Sequence, residues 1–217
     1  AWTPLPSGDG QRLSVRAQTN GKYFQSYSAS FTEPWLGGKK PNSLSVSTYY
    51  SIQTNGKKKT DITRQSLNIV GVSVGLGQRL RVPDDFFNIY HELNFQHYIL
   101  DNYTTSFLFS DGYSNNFNLQ ETISRNSVDA PIYPRMGSQF AFTIQLTPPY
   151  SLLNNKDYST MSDQEKYKYI EYHKWKFGAS WFTPLAWNKL VLNIRANFGF
   201  LGYYNKDIGQ SPFERFY

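Results

Sequence analysis

The chain has 217 residues, a net charge of +6, no cysteine, and 18% aromatic residues (17 Tyr, 16 Phe, 5 Trp) within a hydrophobic total of only 39%. The lack of cysteine excludes a disulfide framework and thiolate metal sites, and the scattered Lys and Arg form no dense basic stripe of the kind nucleic-acid binders carry. No run of about 18 apolar residues exists, so no transmembrane helix is encoded; a membrane barrel needs none.

Mean hydropathy is −0.56. A polar chain rich in rings fits a secreted β protein or an outer-membrane barrel, whose strands are apolar on one face only. The opening AWTPLPSGDGQR has no charged region followed by an apolar core, so it is read as lacking a signal peptide. That leaves a chain that is not exported, a mature chain, or a fragment.

Period-2 alternation dominates and predicts nine strands. The first, over 11–19, sets Leu13, Val15 and Ala17 against Arg12, Ser14, Arg16 and Gln18. Asn20-Gly21 follows and predicts a two-residue type I′ hairpin, in which both central residues take positive φ. The second strand, over 22–32, sets Tyr23, Tyr27, Ala29 and Phe31 against Lys22, Ser26, Ser28 and Ser30. The third, over 43–54, sets Leu44, Val46, Thr48, Tyr50 and Ile52 against Ser43, Ser45, Ser47, Tyr49, Ser51 and Gln53. The fourth, over 64–79, sets Val70, Val72, Val74 and Leu76 against a face carrying Gly71, Gly75 and Gly77, which predicts a curved wall where backbones come close.

The fifth, over 88–100, and sixth, over 115–126, place Leu93, Phe95, Phe117, Leu119 and Ile123 opposite Glu92, Asn94, Gln96, Asn118 and Gln120. Glu121 interrupts the apolar face there without an evident reason. The seventh, over 138–147, alternates Phe140, Phe142, Ile144 and Leu146 with Gln139, Ala141, Thr143 and Gln145. The eighth, over 168–183, sets Trp175, Phe177, Ala179 and Trp181 against Lys174, Lys176, Gly178 and Ser180. The ninth, over 188–202, sets Leu190, Leu192, Ile194, Ala196, Phe198 and Phe200 against Lys189, Asn193, Arg195 and Asn197. The closing NKDIGQSPFERFY does not alternate and reads as the start of a further loop.

Connectors alternate in character. Those at 33–42, 81–87, 127–137 and 184–187 carry Pro flanked by Trp35, Phe86, Phe87, Tyr133 and Trp187; those at 55–63, 101–114 and 149–167 are mostly longer and polar. Compact turns with an aromatic girdle at one end and long loops at the other describe an outer-membrane barrel. A soluble β-sandwich with the apolar face as its core is the competing architecture, and an odd strand number does not close a bacterial single-chain barrel.

Three stretches carry more than pattern. SASFTEPWLGGKKPNSLSVSTYYS resembles the early barrel hairpin of the BamA family of outer-membrane assembly factors. SRNSVDAPIYPRMGSQFAFTIQ resembles that family's mid-barrel signature, and SPFERFY resembles the segment before its luminal loop. The motifs fit BamA relatives such as TamA and two-partner secretion transporters nearly as well, and the Asn-rich, aromatic-rich style resembles Bacteroidota members. The resemblance implies an all-β fold: an antiparallel transmembrane β-barrel segment, strands three to eleven of sixteen. Periplasmic POTRA repeats and two strands would lie upstream, and the luminal loop and five strands downstream. It implies residence in the bacterial outer membrane and non-enzymatic insertion of β-barrel clients. The implied partners are outer-membrane lipids and lipopolysaccharide, unfolded β-barrel client proteins and accessory lipoproteins of an assembly complex. No nucleic-acid partner and no cofactor are expected. A passive porin or adhesin-type barrel remains the alternative of a different class.

No catalytic constellation is visible. His91 and His97 share a face but stand about 20 Å apart along an extended strand, too far to share a metal. The glycines of GVSVGLGQ precede no helix, so they cradle no phosphate, and Asp61 and the Asp84-Asp85 pair read as ordinary turn carboxylates. Lys57-Lys58-Lys59 is the one charge run; it is either a solvated loop tip or a contact for lipid phosphates. The remaining candidates are structural turn and interface residues: Glu33, Pro34, Trp35, Gly37, Gly38, Arg125, Asp129, Pro131, Pro134 and Gly137. Pro34 ends a strand, Gly37 and Gly38 permit positive φ, Trp35 anchors at a membrane interface, and Arg125 and Asp129 are expected to pair across the 127–137 turn.

Overall fold

The computed structural model describes residues 10–38, 42–104, 109–154, 156–186 and 190–216. Nine strands run in order β1 (Arg12–Asn20), β2 (Phe24–Glu33), β3 (Asn42–Thr54), β4 (Ser66–Arg79), β5 (Phe87–Asp101), β6 (Gly112–Asn126), β7 (Gly137–Leu146), β8 (His173–Ala186) and β9 (Leu190–Gly202). Each pairs antiparallel with the next, so the sheet is an uninterrupted meander from β1 to β9. Two one-turn helices, α1 (Tyr150–Leu153) and α2 (Asp163–Lys166), break the long β7–β8 connection. The nine strands and their faces follow the alternation, because a pleat that turns every second side chain one way fixes the register wherever one face must be dry.

The central strands are long: β5 and β6 have 15 residues each, about 50 Å of extended chain. Such strands cross an apolar band about 25 Å tall even when tilted by about 40°. The side chains divide as that requires. Val72 (44%), Phe95 (42%), Leu119 (38%), Ile194 (59%) and Phe198 (62%) are exposed on the apolar face. Most buried sheet residues lie on the other face, and many are polar, with Ser114, Asn116 and Asn118 at 0–1%. A soluble sandwich buries its apolar face and wets its polar one, so this distribution overturns that architecture.

The apolar core is small and lies at the loop end, on the polar side of the wall. Leu67, Leu100, Tyr98, Tyr103, Ile170 and Tyr172 form one cluster, with Phe213 packed against it; Tyr158, Tyr167 and Ile208 form another. Both are completed by the segment after β9, which folds back over the sheet instead of leaving it.

Two local expectations are corrected. The first hairpin is a three-residue loop: Asn20 stays in the strand opposite Phe24, the Tyr23 N–H bonds the Asn20 carbonyl at 3.2 Å, and only Gly21 takes positive φ (57°). Strand β8 begins at His173 rather than 168, because Ile170 and Tyr172 turn into the core at 0% exposure. Beyond Pro184 the β8–β9 register shifts by a bulge, which accommodates a residue with no N–H to donate. Trp187, expected in the girdle, lies outside the described residues.

Candidate functional site

The polar face of β3 to β6 is built from complementary small and large residues. Tyr49 lies over Gly71, where a Cβ would stand 2.1 Å from its ring, and the Tyr90 hydroxyl occupies the equivalent space over Gly75, at 1.9 Å. Gly71 and Gly75 are therefore sockets for tyrosine side chains from the flanking strands, and Gly77 makes room for the Ser43 hydroxyl. Tyr90 also shares a 2.6 Å hydrogen bond with Ser45.

One turn-level further along, side-chain amides form a ladder across β5, β6 and β7. Asn118 Nδ2 donates to Asn116 Oδ1 (3.2 Å), and Gln145 Nε2 and Asn94 Nδ2 both donate to Asn118 Oδ1 (3.1 and 3.3 Å). The ladder ends on Glu214, carried by the returning segment. Its Oε1 accepts from Asn116 Nδ2 at 3.1 Å and its Oε2 from Lys174 Nζ at 3.2 Å. Phe213 packs on Tyr98 with ring centroids 4.9 Å apart, and the Lys174 ammonium lies 4.8 Å from the Phe216 ring centre. Gly199 leaves room for Phe216, whose ring would meet a Cβ at 2.9 Å. A buried carboxylate persists only where a cation and several donors surround it, and β6, β8 and the returning segment supply them together.

The turn candidates form two separate groups, on β2–β3 and on β6–β7, with β4 and β5 between them in the sheet order. Glu33 is 3% exposed and accepts from the Trp35 N–H at 3.0 Å and from the Gln11 side-chain amide. Its carboxylate thereby ties the 33–38 turn to the start of β1. Trp35 is half exposed, and Pro34 begins the turn directly after β2. Gly37 and Gly38 take φ of 80° and 71°, conformations strained for any side chain.

Arg125 does not pair with Asp129. Its Nε donates to Asp84 Oδ2 (2.9 Å) and its Nη1 to Ser127 and Ser138 Oγ (2.7 and 3.0 Å), while the guanidinium lies 5.6 and 5.9 Å from the Phe86 and Phe87 rings. The guanidinium thereby links the 80–86 turn to the two ends of the β6–β7 connection. Asp129 Oδ1 instead accepts the N–H groups of Arg135 and Met136 (2.9 and 3.2 Å), which hold its carboxyl below the usual range. Pro131 is exposed and Pro134 half-buried, on either side of Tyr133, whose φ is 55°. Gly137 has φ 105°, and a Cβ there would stand 2.2 Å from the Ser127 carbonyl oxygen, so this position admits only glycine.

The alternation did not reveal Asp84, Ser127 and Ser138 as partners of Arg125, nor Glu214 and Lys174 as a buried pair. Glu121, unexplained by pattern, is hydrogen-bonded to His91 Nδ1 directly across β5 and β6. His97 faces Asn115 (2.8 Å) nearer the loop end, and His173 accepts from Trp175 Nε1 (2.9 Å). Among the described residues no three metal-ligating side chains converge.

The sequence profile described as the Omp85 superfamily domain matches residues 7–217. No curated protein matches the sequence. Among solved structures, the crystal structure of BamA from Haemophilus ducreyi lacking POTRA domains 1–3 is similar, with a TM-score of 0.66 at 21% identity. The alignment covers 95% of this chain and 38% of that one, so the chain spans well under half the length of that structure.

Proposed function

The chain belongs to the Omp85 superfamily, and from that membership we propose that it is wall and lumen of a machine that inserts β-barrel clients into the bacterial outer membrane. The fold is part of an outer-membrane-type barrel. In the proposed assembly its nine strands are the third to eleventh of sixteen, with POTRA repeats, a luminal loop and the closing strands supplied by the rest of the protein. The work is non-covalent: a client strand pairs with an exposed sheet edge beside a bilayer thinned by a short apolar wall. This segment contributes the wall, and the edge lies elsewhere. Outer-membrane lipids, lipopolysaccharide, unfolded clients and accessory lipoproteins are the proposed partners.

The observation that favours an assembly factor over a passive porin is the docking of residues 203–216 on the polar face. Asn116 and Asn118 are at 0–1% exposure beneath it, whereas a conducting pore needs a wet inner wall. Depletion of the full-length protein tests the reading. Unfolded outer-membrane barrels should accumulate in the periplasm; correct assembly of those barrels after depletion would refute it. Loss of a secreted passenger alone would point to a translocation barrel of the same superfamily, and stable open-pore conductance to a porin.

A further inference from the structure

At the loop end of β2 and β3, on the apolar flank of the wall, the side chains change abruptly in character. Gln25 and Ile52 are cross-strand partners one pair beyond Tyr27 and Tyr50 on the same face. With Thr54 they form the floor of a hollow of about 320 Å³ whose walls are Lys22, Lys57, Lys58, Lys59 and Arg64. Five of the chain's 22 lysines and arginines thus converge on one outward-facing recess, and no carboxylate lines it. Asp61, the acid of the same loop, is turned to the N–H and hydroxyl of Thr63 (2.9 and 2.6 Å), and Lys57 Nζ reaches the same hydroxyl.

The basic loop is also built, not trailing. The Asn55 amide donates to the Thr63 carbonyl (2.9 Å), Gly56 N–H to Thr54 Oγ1 (3.0 Å) and Arg64 N–H to the Asp61 carbonyl (3.0 Å). The Thr54 hydroxyl donates to the Lys22 carbonyl, which ties the first hairpin to this loop. Tyr23 fills the space over Gly56, where a Cβ would meet its ring at 2.6 Å. Five like charges held together repel one another, an arrangement that a multivalent anion relieves. A guanidinium and several ammonium groups suit phosphate oxygens.

We propose that this recess binds the phosphorylated headgroup of an outer-leaflet glycolipid of the lipid A type, with acyl chains continuing down the apolar face past Ile52 and Tyr50. The proposal rests on the outer-membrane reading, which places the 54–66 loop outside the cell and the floor residues at the bilayer surface. A cation near an anionic surface contributes about fivefold in affinity, so the five together make the site strongly phosphate- and salt-dependent.

The test uses the full-length protein in phosphatidylethanolamine nanodiscs, with bound lipid A counted by native mass spectrometry. Bisphosphorylated lipid A should be retained at least tenfold better than its dephosphorylated form. A variant with Lys22, Lys57, Lys58, Lys59 and Arg64 each changed to Gln should lose at least tenfold of that retention, while Lys156→Gln with Lys166→Gln should not. Equal retention of the two lipid forms, or by the fivefold variant, would overturn the proposal. The lipid comparison on unaltered protein stands even if the variant misfolds. Displacement of lipid A by millimolar inorganic phosphate would reassign the recess to a free anion. A parent protein that does not enter the discs would instead refute the membrane reading itself.

Discussion

Two carboxylates occupy opposite faces of the same wall, and each is held by a different means. Glu121 stands on the apolar face with one partner, His91, directly opposite in the neighbouring strand. Glu214 stands on the polar face, contacts Lys174 and Asn116 from distant parts of the chain, and joins an amide ladder that reaches β7. The first pair joins neighbouring strands and keeps 40% and 33% side-chain exposure; the second joins the wall to the returning segment, at 7% and 15%. Where protein replaces water on all sides, a charge needs several partners. Near the edge of a bilayer one partner is enough, because headgroups and water can approach the rest.

The largest effect should follow removal of one member of the buried pair. Glu214→Leu leaves the Lys174 ammonium unpaired at 6% exposure and should destabilise the barrel by about 3–5 kcal/mol. Lys174→Met with Glu214→Leu should recover most of that loss, since an apolar pair of similar volume avoids the burial of charge altogether. The midpoint of thermal unfolding of the detergent-purified protein, followed by gel mobility, reads both variants. If the single substitution is as stable as the parent, the returning segment is not held by this network.

The pair on the apolar face should respond less. His91 is four residues beyond Phe87, the first residue of β5, which places it about 10 Å above the turn-end rim. His91→Leu should lower stability by about 1–2 kcal/mol, because Glu121 then faces lipid alone. His91→Leu with Glu121→Leu should be neutral or stabilising, and a double-mutant cycle isolates the coupling. A single substitution as damaging as Glu214→Leu would erase the distinction between the two faces.

What was legible in the sequence follows the same division. Period-2 alternation identifies strands and assigns faces, and it did so for all nine strands, including the polar face that carries Asn94, Asn116, Asn118 and Gln145. It restricts register to steps of two residues, and turn geometry chooses among those steps. Glu121 therefore looked like an intruder until His91 was placed opposite. The stretch 168–172 reads as the start of the eighth strand, yet it makes only an isolated parallel bridge between Tyr169 and Asn115 and buries Ile170, Glu171 and Tyr172 in succession. Burial beneath a returning segment is a tertiary fact that no local period encodes. Arg125 lies in β6, and Asp129, near it in sequence, was the expected partner, whereas Asp84 is 41 residues away and adjacent in space.

The rim around Arg125 lies between the two faces in character and sharpens the comparison further. Its guanidinium joins the 80–86 turn, β6 and β7 through three side chains and remains partly solvated, with side-chain exposures of 23% for Arg125 and 35% for Asp84. Arg125→Lys keeps the charge and loses the fork that reaches Asp84 and both serines at once. It should cost about 1 kcal/mol, less than His91→Leu. Its signature should be faster hydrogen exchange of the Ser127 and Ser138 amides with unchanged exchange in the centre of β6. Loss of protection along the whole strand would mean that the clamp supports the wall and not merely its rim.

The smallest effect belongs to Asp129, which is exposed and bonded only within its own turn. The Arg135 and Met136 N–H groups bind the ionised carboxylate and depress its pKa. A depressed folded-state pKa means that the stabilisation is complete above the ordinary carboxylate pKa and is lost as pH falls through the lower folded value. The turn should therefore keep its order at mildly acidic pH and loosen only under stronger acid. The amide resonances of Arg135 and Met136 should titrate together, below the ordinary range of an aspartate. In Asp129→Asn they should show no such titration. Resonances that moved at the ordinary aspartate pKa would show that these two bonds do not hold the turn, and that its shape rests on Gly137 and the flanking prolines alone.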